Sequence, residues 1–413
     1  MNYYALIDCN NFFVSCERIF NPKLVNKPVV ILSNNDGCVV ARSNEAKKLN
    51  IPMGAPFFKY ESYFFLHQVH VLSGNHALYA DISRRVFLTL EEFSYPIEIY
   101  SVDEAFIQIS GSIDSLVEIG KAIKEKIYQW VGIPVSIGFA KTKTLSKIAS
   151  ELAKKNSSSN GVYVLEETTF LFKSLFIQDV WGIGKKYKEK LNSFGIITIF
   201  DFIKEDPNWI KNAFNILLVR TQLELQGIPC IEIPNHEDYP KSMVHSRSLK
   251  KDYEDQKEIY SLLISFLSKL STKLRSKKLE TEGVGLFLYG NRFKDRSSFH
   301  AYRQLDFSTN TTSVLIQFFK PLFEKFKNDP FPVKRVGIYF FDLKLATEKQ
   351  LCLLKIPDEK KDLMKTIDAI NKKFPQSKLR YGSEAVDPYK MLSKKNSSSL
   401  YTTSFQELLT IRI

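Results

Sequence analysis

The stretch IEIYSVDEAFIQI, residues 97–109, sets Asp103 and Glu104 between two apolar, strand-like halves. Charges are rarely built into such a strand unless they are paired or bind a metal. An Asp-Glu dipeptide alone says little, since Asp358-Glu359 is another, in a lysine-rich stretch. A second acid gives the first pair meaning. Asp8 lies at the end of the apolar run Tyr3–Cys9, which reads as a buried strand. If the two strands are neighbours, three carboxylates converge and need a cation. Oxygen donors without histidine suit Mg²⁺, and a two-ion carboxylate site assists in-line displacement at phosphorus.

Outward from this centre, strands and helices alternate. Pro28–Leu32 and Pro134–Phe139 read as strands. Asn44–Leu49, Tyr79–Phe93, Leu116–Val131 and Lys143–Leu152 carry helical spacing or helical boundaries. That pattern predicts a layered α+β domain over residues 1–165. The polar cluster Asn156–Gly161 marks a loop near its end. From Asp179 onwards the chain reads as helical with short glycine turns, followed by a proline-bearing linker, 233–241. Residues 242–350 mix strand signals (Gly283–Leu288, Val336–Phe341) with helices at Lys257–Lys273 and Thr312–Phe326. In the tail, 351–413, the Ser/Lys-rich patch Lys394–Ser399 reads as mobile.

With 413 residues, 44% hydrophobic and 25% charged, the composition excludes wholesale disorder and allows several cores. No run reaches the ~18–20 apolar residues of a membrane span, and MNYYALIDCNNFF lacks the features of a signal peptide. The net charge of +13 favours polyanionic partners, nucleic acid before an anionic membrane. The excess is concentrated: residues 241–350 carry net +9, whereas 166–240 carry net −3. Such a segment reads either as a solvated lysine-rich surface or as a module that tracks a phosphate backbone. Five cysteines, an odd number with no CxxC pair, point to a reducing compartment, here the cytoplasm. His67 and His70 have no cysteine partners that would make a zinc site.

Beyond Asp8 comes Cys9-Asn10-Asn11-Phe12-Phe13. A bulky ring this close to a metal-bound nucleotide could exclude a sugar bearing a 2′-OH. The competing reading makes both rings core aromatics, and at least one is expected to be.

The chain resembles the Y-family DNA polymerases, and within them the UmuC type. The resemblance is carried by ALIDCNNFFVSCE, KPVVILSNNDGCVVARSNEAKKLNI, LYADISRRV, EIYSVDEAFI, VSIGFAKTKTLSKIASELAKK, DVWGIGKK and YTTSFQELL, in the family's order along nearly the whole chain. It implies a multidomain α+β right-hand polymerase. The palm and fingers would fill 1–165, with the fingers at about 22–76. A helical helix-hairpin-helix thumb would follow over 166–232, an α/β little finger over 242–350, and a partner-binding tail over 351–413.

The resemblance also implies roles. Asp8, Asp103, Glu104 and the Cys9 carbonyl would hold two Mg²⁺ ions. Phe13 would be the steric gate, and Phe12 would lie beneath the nucleotide. Lys154 would reach the triphosphate, with Arg42 and Lys47 beside it. Where many members carry Tyr-x-x-Arg, this chain has Asn44-x-x-Lys47. A lysine is a point charge without arginine's bidentate fork, so the grip would be built differently. Val180–Lys186 resembles the hairpin that binds phosphate through backbone amides, with Gly182, Gly184, Lys185 and Lys186 near DNA. In the little finger Arg247, Lys250, Lys251, Arg292, Lys294, Arg296 and Arg335 are the candidate DNA contacts. Gln350, Leu351, Leu353 and Leu354 resemble a peptide that docks on the bacterial sliding clamp. The rest of the tail matches a region that engages a cleaved UmuD dimer, with RecA a further partner.

The function expected is error-prone translesion DNA synthesis in the SOS response, without proofreading, on primed and damaged DNA with deoxynucleoside triphosphates. A non-catalytic DNA-binding repair factor would share the basic balance and the hairpin but would not need the acidic trio. A nuclease would share the metal chemistry but not the phenylalanine gate and Lys154.

Overall fold

The computed structural model describes residues 2–156, 159–166, 168–233, 239–294, 296–347, 361–374, 379–384, 395–404 and 407. They form two compact units. The first comprises residues 1–32, 38–236 and 396–413, and the second residues 33–37 and 237–395. Among the described residues no helix is long and apolar enough to cross a membrane.

The first unit is built on a five-stranded sheet in the order Ile97–Ile99, Glu104–Ser110, Asn2–Cys9, Val135–Ala140, Val162–Val164. The first strand is central, which explains its near-continuous apolar run: Tyr3 to Ile7 are all buried. It runs antiparallel to both neighbours, with Asp8 opposite Glu104 on one side and Ser136 on the other. The Ile113–Val131 helix, capped by the Ser112 side chain, buries Leu116, Ile123 and Ile127 in the same core.

The Lys143–Lys155 helix lies close against the Val135–Ala140 strand. Gly138 makes this approach possible, because a Cβ there would sit 2.1 Å from the Ser150 nitrogen. Residues 143, 147, 151 and 154 therefore share one helix face that faces the acid-bearing ends of the strands.

A smaller sheet, in the order Val39–Arg42, Val29–Leu32, His70–Ser73, carries the short Asn44–Lys48 helix, whose N-cap Ser43 is buried. Four further helices, Lys185–Ser193, Ile199–Lys204, Pro207–Ala213 and Ile216–Leu225, gather around Leu191, Ile199, Phe202 and Leu218. Thr198 and Asp201 make a reciprocal capping box at the second of them.

The second unit has a four-stranded antiparallel sheet in the order Ser298–Thr309, Leu279–Tyr289, Val333–Leu345, Ser242–Tyr253. The Gln256–Ser276 and Thr312–Phe326 helices cover one face and bury Val284, Leu286, Val336, Ile338 and Phe340. The opposite face is open. There Gly285 pairs with Tyr339 and Gly337 with Phe287, and each ring lies over the glycine across the strand. A Cβ on Gly285 would fall 2.2 Å from the Tyr339 ring. The Lys361–Lys373 helix of the tail is tied to this unit by a bidentate Arg275–Asp368 pair at 2.6 and 2.8 Å.

One expectation is corrected here. Of the patch expected to be mobile, residues 395–399 are described, and 396–399 are anchored in the first unit. Asn396 exchanges hydrogen bonds with Ser73, at 2.8 and 3.0 Å. Asn75 Nδ2 donates to Ser398 Oγ and to the Ser399 carbonyl, both at 3.0 Å. Serine-rich composition signals disorder only where the hydroxyls and backbone find no partners.

Candidate active site

Asp8 and Glu104 are brought side by side by strand register. Asp103 precedes Glu104, and its carbonyl accepts the Cys9 N–H at 2.9 Å. Each carboxylate has a partner. Lys154 Nζ donates to Asp8 Oδ2 at 2.8 Å, Lys147 Nζ to both Glu104 oxygens at 3.1 Å, and Ser101 Oγ to Asp103 Oδ1 at 2.6 Å. Among the described residues no three such side chains close into a ready metal cage. Two lysines and a serine hold them instead.

The electrostatics fit a cation all the same. Burial pushes the Asp8 carboxyl up to about 7; Lys154 pulls it down, and the neighbouring Glu104 pushes it up again. Two crowded, half-buried carboxylates offset by single lysines are hard oxygen donors suited to a divalent ion. Burial, with the charges of Asp8 and Asp103, holds the Cys9 thiol well above its ordinary range. The buried thiol stays protonated.

The fuller picture is a charge ladder that sequence reading missed. From one helix face Lys143 meets Glu98, Lys147 meets Glu104, and Lys154 meets Asp8 and Glu151. Glu98, Glu104 and Asp8 sit on three successive strands of the sheet. The signal was present in KTLSKIASELAK as cations at positions 143, 147 and 154, but the partners on the strands lie 43 or more residues away.

The two phenylalanines divide their roles. Phe12, expected beneath a nucleotide, is instead a core residue only 3% exposed, so its ring is not available to one. The helix Phe12–Phe20 starts at Asn11, in a left-handed conformation, and turns Phe12 inward. Phe13 is half-buried and stacks on Tyr79, with centroids 4.4 Å apart and planes at 14°. His76 meets it edge-on at 5.9 Å.

A cleft of about 370 Å³ opens beside this turn, lined by Asn10, Asn11, Asn44, Lys47, Ser136 and Lys154. Asn11 Nδ2 donates to Asn44 Oδ1 at 3.0 Å, linking the Phe12 helix to the short Asn44 helix. Burial pulls the Lys47 ammonium down, and the charges of Arg42 and Lys154 add to that pull. The cleft therefore concentrates positive charge. Arg42 donates to the Ile51 carbonyl. A second cleft of similar volume is lined by Asp8, Glu104, Lys147, Glu151, Asp179 and Trp181. Trp181 Nε1 donates to the Tyr100 hydroxyl at 3.0 Å, and Lys147 lies over both rings.

Gly182 and Gly184 lie in an open turn, with nothing within 4 Å of a Cβ on either. Lys185 and Lys186 follow it and are exposed. In the second unit the cations expected to share one role are separated. Arg335 lies on the open sheet face, where it donates to Ser246 Oγ at 3.2 Å. Arg292, Lys294 and Arg296 lie in the turn between two strands, and Lys294 pairs with Asp252 at 3.0 Å. Lys250 and Lys251 are exposed near the end of an edge strand. Arg247 departs from the expectation. Its register partner is the fully buried Val336, and its even spacing from buried Met243 and Leu249 puts it on their face, so it lies on the helix-covered side. Gln350, Leu351, Leu353 and Leu354 lie outside the described residues.

Models of the impB/mucB/samB family match residues 7–151 and, for its C-terminal domain, 240–353. A domain of unknown function, DUF4113, matches 361–411. The chain is 32% identical to protein UmuC of Salmonella typhimurium over 99% of this chain and 100% of that protein. Protein ImpB of Salmonella typhimurium is 31% identical over the same shares. DNA polymerase IV of Oceanobacillus iheyensis is 26% identical over 97% of this chain and 94% of its own length. In fold, the chain is similar to a Y-family DNA polymerase chimera of Dbh and Dpo4. The TM-score is 0.68 at 22% identity, covering 83% of this chain and 99% of that one. An insertion ternary complex of Dbh DNA polymerase gives a TM-score of 0.57 at 20% identity over the same shares. Agreement with UmuC and its kin over the full length makes this chain a member of the impB/mucB/samB family, the UmuC-type branch of the Y-family DNA polymerases.

Proposed function

We propose that this translesion DNA polymerase, a DNA-directed DNA polymerase by family, performs its nucleotidyl transfer at the Asp8–Glu104 strand pair. The observation that carries the reading is that pair, in register across two central strands with Lys154 on Asp8 and a cationic cleft beside it. The primer 3′-OH attacks the α-phosphorus of a deoxynucleoside triphosphate, and pyrophosphate leaves. The family's chemistry requires a divalent metal, and we take it to be Mg²⁺, held by Asp8, Asp103, Glu104 and the Cys9 carbonyl. When bound, two such ions lower the pKa of the attacking hydroxyl and neutralise the leaving group.

The remaining roles fall to the chain's own residues. Lys154, Lys47 and Arg42 hold the triphosphate. Phe13, backed by Tyr79, closes the space that a ribose 2′-OH would need. The open face and turn of the little finger hold the duplex, together with the glycine turn and Lys185 and Lys186. The tail serves a cleaved UmuD dimer and RecA, Gln350–Leu354 serves the sliding clamp, and the setting is the SOS response in the cytoplasm. A non-catalytic repair factor is not favoured, because it has no use for the acidic pair.

Primer extension across one abasic site with Mg²⁺ tests the assignment. Wild type should extend past the lesion, while Asp103→Ala should fold normally yet fall by at least about 10²-fold. Retained extension in that variant would remove Asp103 from the site. Phe13→Ala should admit ribonucleotides in the same assay.

A further inference from the structure

The tail segment Asn396–Tyr401 packs against Ser73, Asn75, Glu17 and Phe20 and ends a continuous side-chain relay. Glu17, 1% exposed, accepts the Tyr79 hydroxyl at 2.8 Å and the Ser398 hydroxyl at 3.0 Å, both on Oε1. Ser398 Oγ has one proton to give. It spends that proton on Glu17 while accepting from Asn75 Nδ2 at 3.0 Å. Asn75 Oδ1 in turn accepts from Leu78 N–H and caps the helix that carries Tyr79. The far end of the segment is pinned by Tyr401, which stacks on Phe20 at 4.6 Å and 13°. Phe20 closes the Phe12–Phe20 helix, which bears both Phe13 and Glu17.

Each link has a physical consequence. Burial raises the Glu17 carboxyl above its usual range, and its two hydroxyl donors oppose that. Removing one donor leaves a buried carboxyl under-bonded, a costly arrangement that drives local rearrangement. Tyr79 is 1% exposed, and its ring is the surface on which Phe13 stacks. The tilt of that ring is fixed by packing and by the hydroxyl's bond to Glu17. Loosening Glu17 therefore loosens the backing of Phe13.

We infer that Ser398 is a positioning residue for sugar selection: through Glu17 and Tyr79 it fixes the ring of Phe13. This rests on the reading of Phe13 as the steric gate. It assigns a task to part of the DUF4113 region, which reaches the polymerase core across more than 300 residues of sequence.

The test compares kcat/KM for a deoxynucleotide and the matching ribonucleotide in the full chain. Four single variants and one double are used: Phe13→Ala, Ser398→Ala, Ser398→Thr, Tyr79→Phe, which keeps the ring and deletes only its hydroxyl, and Ser398→Ala with Tyr79→Phe. Ser398→Ala and Tyr79→Phe should each relax sugar discrimination by about tenfold, with the deoxynucleotide value of Ser398→Ala within about twofold of wild type. Their combination should relax it no further than either alone, because both break the same relay. Ser398→Thr, which keeps the hydroxyl, should restore discrimination. If Phe13→Ala relaxes discrimination while Ser398→Ala and Tyr79→Phe leave it unchanged, the relay is refuted and the gate stands. If both relay variants slow the two sugars equally, Ser398 is structural only and the inference is overturned. If Phe13→Ala itself leaves discrimination unchanged, the gate reading fails and the relay falls with it.

Discussion

Lys143 shows how one buried charge organises this site. Its side chain is 1% exposed, pairs with Glu98 and donates to the Glu232 carbonyl at 2.8 Å. The desolvation of a buried ammonium is offset only while both partners are present. Lys143→Met should therefore destabilise the first unit by about 3 kcal/mol. Glu98→Gln should cost at least as much, because it strands the fully buried ammonium, whereas Lys143→Met strands only Glu98, which keeps some contact with water. The double variant should cost less than the sum of the two. Urea unfolding of the four proteins checks this, and strict additivity would deny the pair. Lys143 reads in the sequence as an ordinary polar position at the start of a helix. Its burial follows from where the helix lies, which Gly138 permits by letting the strand approach. Phe12 and Phe13 teach the same lesson: adjacent identical residues are indistinguishable by composition, and only the entry angle of their helix sends one to the core and the other to Tyr79.

Among the elements, the helices and central strands were the legible part. Thr312–Phe326 is expected and found over the same residues, and Gly283–Leu288 grows only to Leu279–Tyr289. The edge strands Ser242–Tyr253 and Ser298–Thr309 left no readable pattern. With one face open, few of their residues are buried, so their alternation is diluted by charges.

The first of these edge strands carries a titration with a readable sign. Burial lowers His245 to about 4, with Arg247, Lys269 and Lys273 adding to the effect, and the ring packs on Phe266 at 4.5 Å. The unfolded chain then binds the extra proton first. Stability from this group is full above about 6.5, the ordinary histidine value, and is lost as pH falls from there toward 4. Unfolding of the second unit should become easier over that window in wild type, with a shallower dependence in His245→Phe. Equal slopes for the two proteins would contradict it.

For the molecule as a whole, net charge of +13 pointed to a polyanion, but charge cannot say which cations share a surface. The sheet decides that by register. Arg292 and Arg296, exposed in a strand-joining turn, are free to meet phosphates, whereas Arg247 lies on the side covered by helices. DNA binding measured against salt concentration should separate them. Arg292→Ala should lower the log–log slope by about one, and Arg247→Ala should leave it unchanged. The opposite result would reverse the assignment of faces.

By itself the sequence determined the family, the acidic positions Asp8, Asp103 and Glu104, and the amphipathic helices. All of these are written in local spacing, which a helix or strand converts directly into a face. The tertiary structure decided what meets those faces. Lysines of one helix meet acids on three strands, Phe13 rather than Phe12 stacks on Tyr79, and a serine of the tail bonds Glu17. Such pairings join residues from tens to hundreds of positions apart. They depend on how sheets and helices pack, and no local periodicity encodes that.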